Sequence, residues 1–213
     1  MGVPWPLFDL ILRSPRLELR PPTDDDLPGL LDVARAGIHD PATMPFGIAW
    51  TDLRGDAFDH GFLQFWWGTR ASWTVDAWSL PFAVFLDGQP IGVQEARAAS
   101  FPTDRAVDTG SWLGLPWQGR GVGTEMRAAI LAFAFDHLGA LTARSAVIEG
   151  NEASRRVSVK LGYRADGFEE VAPRGTPVQQ ERFVLDRAAF DRDRWPLTVE
   201  GFDACRPMFG LEP

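Results

Sequence analysis

The chain has 213 residues, enough for one domain with a substantial hydrophobic core. A hydrophobic fraction of 45% and a charged fraction of 23% are typical of a folded soluble protein and exclude a disordered one. The formal net charge of −8 argues against nucleic acid as a partner, because such binding depends on Lys and Arg that neutralise phosphates. An acidic surface instead favours a cationic acceptor.

Cys205 is the only cysteine, which excludes an internal disulfide and a thiolate metal cluster, and we expect no bound metal. This cysteine usage fits a reducing cytoplasm, the location that we predict. No apolar run is long enough to cross a bilayer, and the N-terminus lacks the basic and apolar regions of a signal peptide. We therefore expect no membrane partner.

The first predicted elements are a strand and a helix. Residues 1–15 form a hydrophobic extension that we expect to pack across the domain edge. Leu17 and Leu19 then alternate with charged residues, as in a half-buried strand. Thr23 is the predicted N-cap of a helix with acidic residues in its first turn, which continues to about Gly37.

Next comes a loop, a helix and a hairpin. The loop spans residues 39–50 and contains prolines that disfavour a helix. The helix covers residues 52–71 and is rich in aromatic side chains. Residues 80–86 and 91–98 are predicted strands of a hairpin, joined by an Asp-Gly turn at Asp87.

The most informative stretch follows, where a strand leads through a glycine-rich loop into a helix. The strand spans residues 107–113, the loop contains Gly119, Gly121 and Gly123, and the helix runs from Thr124 to Leu138. A helix N-terminus reached in this way presents unpaired backbone N–H groups and the positive end of the helix dipole. The expected ligand is a phosphate group.

The remaining elements are predicted by apolar runs and helix caps. Gly139 ends the long helix. Further strands are expected at 142–148, 163–171 and 181–185, with helices at 151–161 and 186–195. The tail to Pro213 receives no assignment.

Two common phosphate-binding patterns do not fit the loop. A nucleotide-hydrolysing P-loop needs a lysine directly after the glycines, and Lys160 is the only lysine in the chain. The dinucleotide fingerprint needs a different glycine spacing and an acidic residue about 20 positions on, which is missing.

The loop does match Q-x-x-G-x-G, as Gln118, Gly121 and Gly123. A second segment, from Asn151 through Ser154 and Val157 to the sequence Lys-Leu-Gly-Tyr, matches N-x-x-S-x-x-V-x-x-K-L-G-[FY]. With these two motifs the chain resembles the GCN5-related N-acetyltransferase (GNAT) family, in particular its RimJ/RimL-like branch that acetylates ribosomal-protein N-termini. The positions in register with that branch are Asp108, Gly110, Trp112, Leu113, Gln118, Gly119, Gly121, Gly123, Thr124 and Glu125.

The resemblance implies an α+β fold with a central mixed, mostly antiparallel, splayed β-sheet flanked by helices. It covers about residues 14–188 of one predicted domain, 1–213. It also implies an acyl-CoA-dependent N-acyltransferase with acetyl-CoA, or another short acyl-CoA, as co-substrate. The acceptor would be a primary amine on a protein N-terminus, a lysine or a small molecule, and a homodimer is one option.

The same resemblance assigns the coenzyme site. It places the thioester carbonyl against a backbone N–H near Leu113 to Leu115, and Asn151 against the pantetheine amides. Arg156 is a candidate for the coenzyme's terminal phosphate. The pyrophosphate would be held by Gln118, Gly119, Arg120, Gly121, Val122, Gly123 and Thr124, with charge-assisted hydrogen bonds of about 1.5–3 kcal/mol each.

The chemistry needs a base for the amine and a stabiliser for the departing thiolate. Asp108 is the candidate general base, directly or through water, and Glu95 is the reserve. Many relatives protonate the thiolate with a tyrosine seven residues after the motif Asn, but Ser158 stands there. We therefore assign Ser154 to hydrogen-bond or protonate the sulfur.

The acceptor and the acyl group remain open at this point. By resemblance, Met44, Phe46 and Trp50 would line the acceptor pocket. One alternative is a non-catalytic acyl-CoA-binding module, and another is the same chemistry on an aminoglycoside or polyamine. A third is a succinyl donor, whose carboxylate would be bound by one of Arg97, Arg105 and Arg120.

Overall fold

The computed structural model describes residues 4–212, so that residues 1–3 and 213 of the predicted domain lie outside the described residues. The described strands form one nine-stranded sheet. They are β1 (Ile11–Arg13), β2 (Leu17–Arg20), β3 (Trp78–Leu86), β4 (Gln89–Ala98), β5 (Ala106–Leu113), β6 (Thr142–Ile148), β7 (Arg164–Val171), β8 (Val178–Asp186) and β9 (Thr198–Glu200). The α-helices within the same residues are α1 (Leu27–Arg35), α2 (Asp56–Ala71), α3 (Phe101–Asp104), α4 (Val122–Asp136), α5 (Glu152–Lys160) and α6 (Phe202–Cys205).

The sheet is mixed and mostly antiparallel, as predicted. Its strand order is β7-β8-β6-β5-β4-β3-β2-β1-β9. Every neighbouring pair is antiparallel except β5 and β6, which run parallel. The chain connects this parallel pair through α4, the crossover that parallel strands require.

The parallel pair is short, and this opens the sheet. Residues 106–108 of β5 pair with residues 142–144 of β6. Beyond this point β5 continues to Leu113 and β6 to Ile148 without pairing to each other. The sheet is therefore splayed, and a gap lies between the C-terminal halves of two central strands.

Helices cover both faces of the sheet. Most of α4 is buried, and it packs with Val107 and Leu113 of β5 in the larger hydrophobic cluster. The other face carries α1 and α2, which pack on Val93 and Trp112. Because successive strand residues point to opposite faces, β5 presents one set of side chains to α4 and the other to α1 and α2.

Two predicted helix starts were wrong. The helix expected after Thr23 begins at Leu27, because the Asp26 carboxylate accepts hydrogen bonds from the Thr23 N–H and hydroxyl, at 2.8 and 2.9 Å, and closes a turn first. The helix expected from residue 52 begins at Asp56. A short 3₁₀ turn, Trp50–Asp52, precedes it.

The helix predicted over 186–195 was also wrong. The chain there makes two separate 3₁₀ turns, Arg187–Ala189 and Arg192–Arg194. Between them Phe190 is extended, with ψ of 120°, and its buried ring lies 5.6 Å from that of Phe135. The extended backbone at Phe190 allows this ring to pack on α4, and it interrupts the predicted helix.

Both chain ends contribute elements for which the sequence carried no assignment. β1 pairs with β9 at the edge of the sheet, so the predicted N-terminal extension contains a strand. In the tail, Phe202, Cys205 and Phe209 are buried in the larger cluster. No helix within residues 4–212 combines the length and the apolar character needed to cross a membrane.

Candidate active site

The glycine-rich loop and α4 form a cradle of backbone N–H groups. Gly119 and Gly121 have φ values of 71° and 78°, a left-handed region that strongly favours glycine. The first N–H of the helix with an acceptor is that of Glu125, which donates to the Gly121 carbonyl at 3.1 Å. The N–H groups of residues 122–124 therefore precede the intrahelical ladder and can bind an anion.

An ion pair holds this loop from the side of β2. The Glu125 carboxylate accepts hydrogen bonds from the Ser14 hydroxyl at 2.8 Å and from Nε of Arg16 at 2.6 Å. The other end of the Arg16 guanidinium donates to the Arg120 carbonyl at 3.3 Å, and its Nη2 lies 3.6 Å from an ideal Cβ position on Gly121. A half-exposed cation thus lies against the anion cradle.

The N–H of Leu113 faces the gap in the sheet. Gly114 donates to Ile91 of β4 at 3.0 Å, and hydrogen-bonding direction alternates along an antiparallel strand. The backbone groups of Leu113 therefore point away from β4, toward the gap. The N–H of Leu115 is already bonded to the Gly37 carbonyl at 3.1 Å, so of these two predicted donors only the Leu113 N–H faces the gap.

The side chain of Gln118 braces the loop. Its amide donates at 2.8 Å to the carbonyls of both Ile38 and Leu113. Two other predicted coenzyme residues, Arg120 and Val122, do not line the cavity, and the Val122 side chain is buried in the core. The Arg120 side chain is exposed instead.

The first turn of α5 lies across the gap from Leu113. Asn151 caps this helix, because its side-chain oxygen accepts from the Ser154 N–H at 3.1 Å. Ser154 lines the cavity and no hydrogen bond of its hydroxyl occurs among the described residues. Ser158 is fully buried, accepts from Arg127 at 3.1 Å and donates to the Ser154 carbonyl at 3.3 Å. The Ser158 hydroxyl thus already donates one hydrogen bond and accepts another within the protein.

Two carboxylates lie on the opposite face of the sheet. Asp108 lines the cavity, and its side chain makes no hydrogen bond or ion pair with the other described residues. Glu95 accepts a hydrogen bond from Ser79 and lies 3.9 Å from Nη1 of Arg97. Its carboxylate is 3.2 Å from an ideal Cβ on Gly110, so it lies near Asp108. Asp108 is the less constrained of the two candidate bases.

Aromatic side chains surround the carboxylates. Trp50 lies 5.5 Å from Phe46 and 6.2 Å from Trp112 between ring centroids, and Met44 also lines this end of the cavity. His39 uses both ring nitrogens, on the Asp40 carbonyl at 2.8 Å and the Thr51 hydroxyl at 2.7 Å. The histidine is part of the loop's own hydrogen bonding. The three predicted acceptor-pocket residues share one wall.

One cavity of about 1420 Å³ joins these parts. It extends from the glycine-rich loop through the gap to the aromatic side chains on the other face. Ordinary small-molecule pockets have roughly 300–1,000 Å³. The cavity is thus large enough for a coenzyme and part of a second substrate.

A buried polar cluster that the sequence did not predict closes the gap on the α4 side. Arg127 of α4 is 4% exposed, and its guanidinium donates to the hydroxyls of Ser111, Ser145 and Ser158. Burial lowers the pKa of Arg127. Burial also raises the pKa of Tyr163, the only tyrosine of the chain, whose hydroxyl lies 3.4 Å from that of Thr109.

The arginines considered for coenzyme phosphate or a donor carboxylate have different positions. Arg97 and Arg156 line the cavity. Arg105 does not, because its side chain turns toward the Leu138 carbonyl at 3.4 Å and stacks on Phe101. No group of His, Cys, Asp and Glu side chains within residues 4–212 is arranged to hold a metal ion.

Residues 16–164 match the family model described as an acetyltransferase (GNAT) domain. The chain belongs to the GNAT acetyltransferase family. This membership confirms the resemblance inferred from the two motifs. In this member of the family, the glycine-rich loop and the motif helix α5 lie on the two sides of the gap.

Solved GNAT structures share this fold. A putative ribosomal-protein-serine acetyltransferase from Vibrio cholerae has a TM-score of 0.65 at 20% identity and covers 83% of this chain and 97% of its own. RimJ of Mycobacterium smegmatis, in complex with CoA-disulfide, has a TM-score of 0.65 at 20% identity, covering 87% and 90%. RimL, a ribosomal L7/L12 alpha-N-protein acetyltransferase in complex with coenzyme A, has a TM-score of 0.65 at 17% identity, covering 86% and 99%.

Proposed function

We propose that the protein transfers an acyl group from acyl-CoA, with acetyl-CoA as the default donor, to a primary amine by direct attack in a ternary complex. One observation carries the proposal. A single cavity connects an anion-binding helix N-terminus, through a gap with a free backbone N–H at Leu113, to an unpaired carboxylate at Asp108. The cavity provides a place for each partner of the reaction, on opposite faces of the sheet.

On the coenzyme side, the N–H groups of residues 122–124 bind the diphosphate, helped by the Arg16 cation. The pantetheine follows the gap past Asn151. The Leu113 N–H then donates to the thioester oxygen and stabilises the negative charge that develops there. This fixed donor needs no reorganisation during the reaction.

On the acceptor side, Asp108 takes the proton of the attacking amine. An α-amine with a pKa near 8 costs only about 1 kcal/mol to deprotonate at pH 7, whereas a lysine amine near 10.4 costs about 4–5 kcal/mol. The aromatic wall of Phe46 and Trp50 then packs on the group that carries the amine. An N-terminal amine fits this site with the smallest demand on the base. RimL is named for that chemistry.

The alternatives differ in a measurable product. A non-catalytic binding module binds acetyl-CoA but releases no free coenzyme A, whatever the amine. An enzyme for aminoglycosides or polyamines prefers these cations to peptides, as the net charge of −8 favours. A succinyl donor would use Arg97, the one of its three candidate arginines that lines the cavity.

The deciding experiment measures release of free coenzyme A with acetyl-CoA or succinyl-CoA over a panel of amines. The panel includes peptides with a free N-terminus, the same peptides with a blocked N-terminus and a lysine, a polyamine and an aminoglycoside. Release that depends on an amine supports the proposal. Binding of acetyl-CoA by calorimetry without release with any amine would leave only the binding module.

A further inference from the structure

Arg127 is a buried cation without a counter-charge among the described residues. Its recorded partners are three neutral hydroxyls, Ser111 at 3.2 Å, Ser145 at 3.2 Å and Ser158 at 3.1 Å. No described carboxylate forms an ion pair with it, and its Nε has no partner. Burial of an uncompensated charge costs free energy, and an arginine stays protonated when buried. The site therefore attracts an anion.

The position of Arg127 limits which anion can reach it. Ser111 and Ser145 belong to β5 and β6, beyond the last residues that pair the two strands, so the guanidinium bridges the gap from the α4 side. Arg127 also lines the cavity. It lies five residues after Val122, about 7.5 Å along the helix axis from the anion cradle. A diphosphate in the cradle is therefore not its natural ligand.

The titratable groups nearest Arg127 do not neutralise it. Tyr163, directly before β7, is buried, and burial raises its pKa, so it stays a neutral phenol. Asp108 of β5 points to the opposite face, toward α1 and α2, because it shares its strand face with Trp112. The Ser158 hydroxyl that contacts Arg127 is neutral, and its proton is donated to the Ser154 carbonyl.

Resting on the proposed function, we infer that Arg127 is the cation that stabilises the departing thiolate of coenzyme A. In this step the amine nitrogen forms a bond to the acyl carbon, and the carbon–sulfur bond breaks with its electron pair going to sulfur. The amine proton goes to Asp108. The Ser154 hydroxyl, which lines the cavity, hydrogen-bonds the sulfur beside the Arg127 charge, and the thiolate takes a proton from water after release. The charge on sulfur develops in the gap beside Leu113, where the guanidinium provides the matching positive charge.

The test compares the wild-type chain with Arg127→Gln, which keeps polar contacts without charge, and Arg127→Lys, which keeps a charge. Coenzyme A is bound across a pH series, and the ultraviolet absorbance of the thiolate reports ionisation of its thiol. We expect the thiol bound to the wild type to ionise at lower pH than the free coenzyme. The shift should disappear in Arg127→Gln and persist in part in Arg127→Lys, and kcat should fall about 10²–10³-fold in Arg127→Gln.

A second measurement uses only the wild-type chain, so it tests the inference even if Arg127→Gln does not fold. The wild-type affinities for coenzyme A and for desulfo-coenzyme A are compared over the same pH series. The inference predicts that coenzyme A gains affinity over the sulfur-free analogue as the pH rises, beginning below the ionisation of the free thiol. Equal pH dependence of the two ligands would overturn it.

Two further outcomes would also contradict the inference. A loss in Arg127→Gln confined to donors with a terminal carboxylate, such as succinyl-CoA, would assign the cation to the acyl group instead. An unshifted thiol in a wild-type chain that binds coenzyme A normally would overturn this inference alone. Failure of the wild type to bind coenzyme A would overturn the proposed function and this inference together.

Discussion

Arg174 and Asp52, which are 122 residues apart in the sequence, form a two-pronged ion pair. Nε and Nη2 of Arg174 donate to the two carboxylate oxygens, each at 2.7 Å, and Nη2 also donates to the Pro41 carbonyl at 3.0 Å. The pair ties the turn between β7 and β8 to the loop that carries the acceptor-side aromatics. Both of the segments that it joins are next to residues of the cavity wall, including Trp50 and Glu169.

We predict that Arg174→Ala changes acceptor binding and leaves coenzyme binding intact. Without the ion pair the acceptor loop loses its link to the turn, so KM for the amine should rise several-fold while Kd for coenzyme A changes less than twofold. Steady-state kinetics and calorimetry measure the two effects. Arg13→Ala is the matched control, because Arg13 is a similarly exposed arginine paired with Glu200 at the far edge of the sheet. An equal KM effect in both variants would contradict the prediction.

The pKa of Asp52 determines the pH range over which the Arg174–Asp52 ion pair is intact. Its hydrogen bond from Arg174 lowers the pKa of Asp52, so the pair contributes above the carboxyl's unfolded pKa of about 3.9 and is lost as the pH falls through the lower folded value. Because the pair stays intact between about pH 5 and 8, it should give the acceptor KM no pH dependence in that range. A change in that range that disappears in Asp52→Asn would show that the carboxyl titrates there.

Gly121→Val should abolish coenzyme binding. Gly121 has a φ of 78° and begins the cradle, and a β-branched residue there distorts the backbone whose N–H groups bind the diphosphate. Gly139→Val carries the same kind of backbone strain, at φ of 72°, with no atom within 4 Å of its ideal Cβ. Calorimetry with coenzyme A should show loss in the first variant and retention in the second. Unchanged affinity of Gly121→Val would reject the loop as the phosphate site.

Arg16→Ala should weaken coenzyme A binding by about tenfold or more, the size of one charge-assisted hydrogen bond. The variant removes a cation from the cradle and leaves the nearly buried Glu125 carboxylate with fewer partners. The affinity for dephospho-coenzyme A, which keeps the diphosphate, should fall by the same factor in Arg16→Ala. Arg20→Ala is the control, since Arg20 lies four residues on, at the end of β2, and the change breaks a comparable ion pair with Asp26 away from the cavity. A loss seen only with the fully phosphorylated coenzyme would move Arg16 to the terminal phosphate.

Asp108→Asn should lower kcat/KM by about 10²–10⁴-fold, the usual contribution of a general base. Its carboxylate is the one without a described partner, whereas Glu95 is engaged by Ser79. Glu95→Gln should therefore have a smaller effect, and coenzyme affinity should be unchanged in both variants. Measured rates in the reverse order would make Glu95 the base.

The sequence predicted those parts of the site that depend on local signals within a few neighbouring residues. The glycines at positions 119 and 121 mark the loop before the helix, and the cap at Asn151 is a local signal. The strand β5 and the hairpin of β3 and β4 follow from alternation and an Asp-Gly turn. These elements were confirmed in position and type.

The parts that were missed depend on contacts between distant residues. Arg16 meets Glu125 across 109 positions, and no local pattern connects them. The three-residue strands β1 and β9 pair with each other, and β1 also pairs with β2, so both depend on partners distant in the sequence. Arg127 did have a signal, since it is a single charge in the otherwise apolar run from Met126 to Phe135, and a charge in a buried helix face needs a reason.

The brevity of the parallel pairing between β5 and β6 has a mechanical consequence. The sheet consists of two antiparallel parts, the six strands from β9 to β5 and the three strands β6, β8 and β7. Only three residue pairs between β5 and β6 join them. A ligand bound in the gap between β5 and β6 would form hydrogen bonds to both parts and would replace the missing strand pairing. Without ligand, amide hydrogens should exchange fastest in the three-stranded part of the sheet. With a ligand bound in the gap, the two parts should unfold cooperatively.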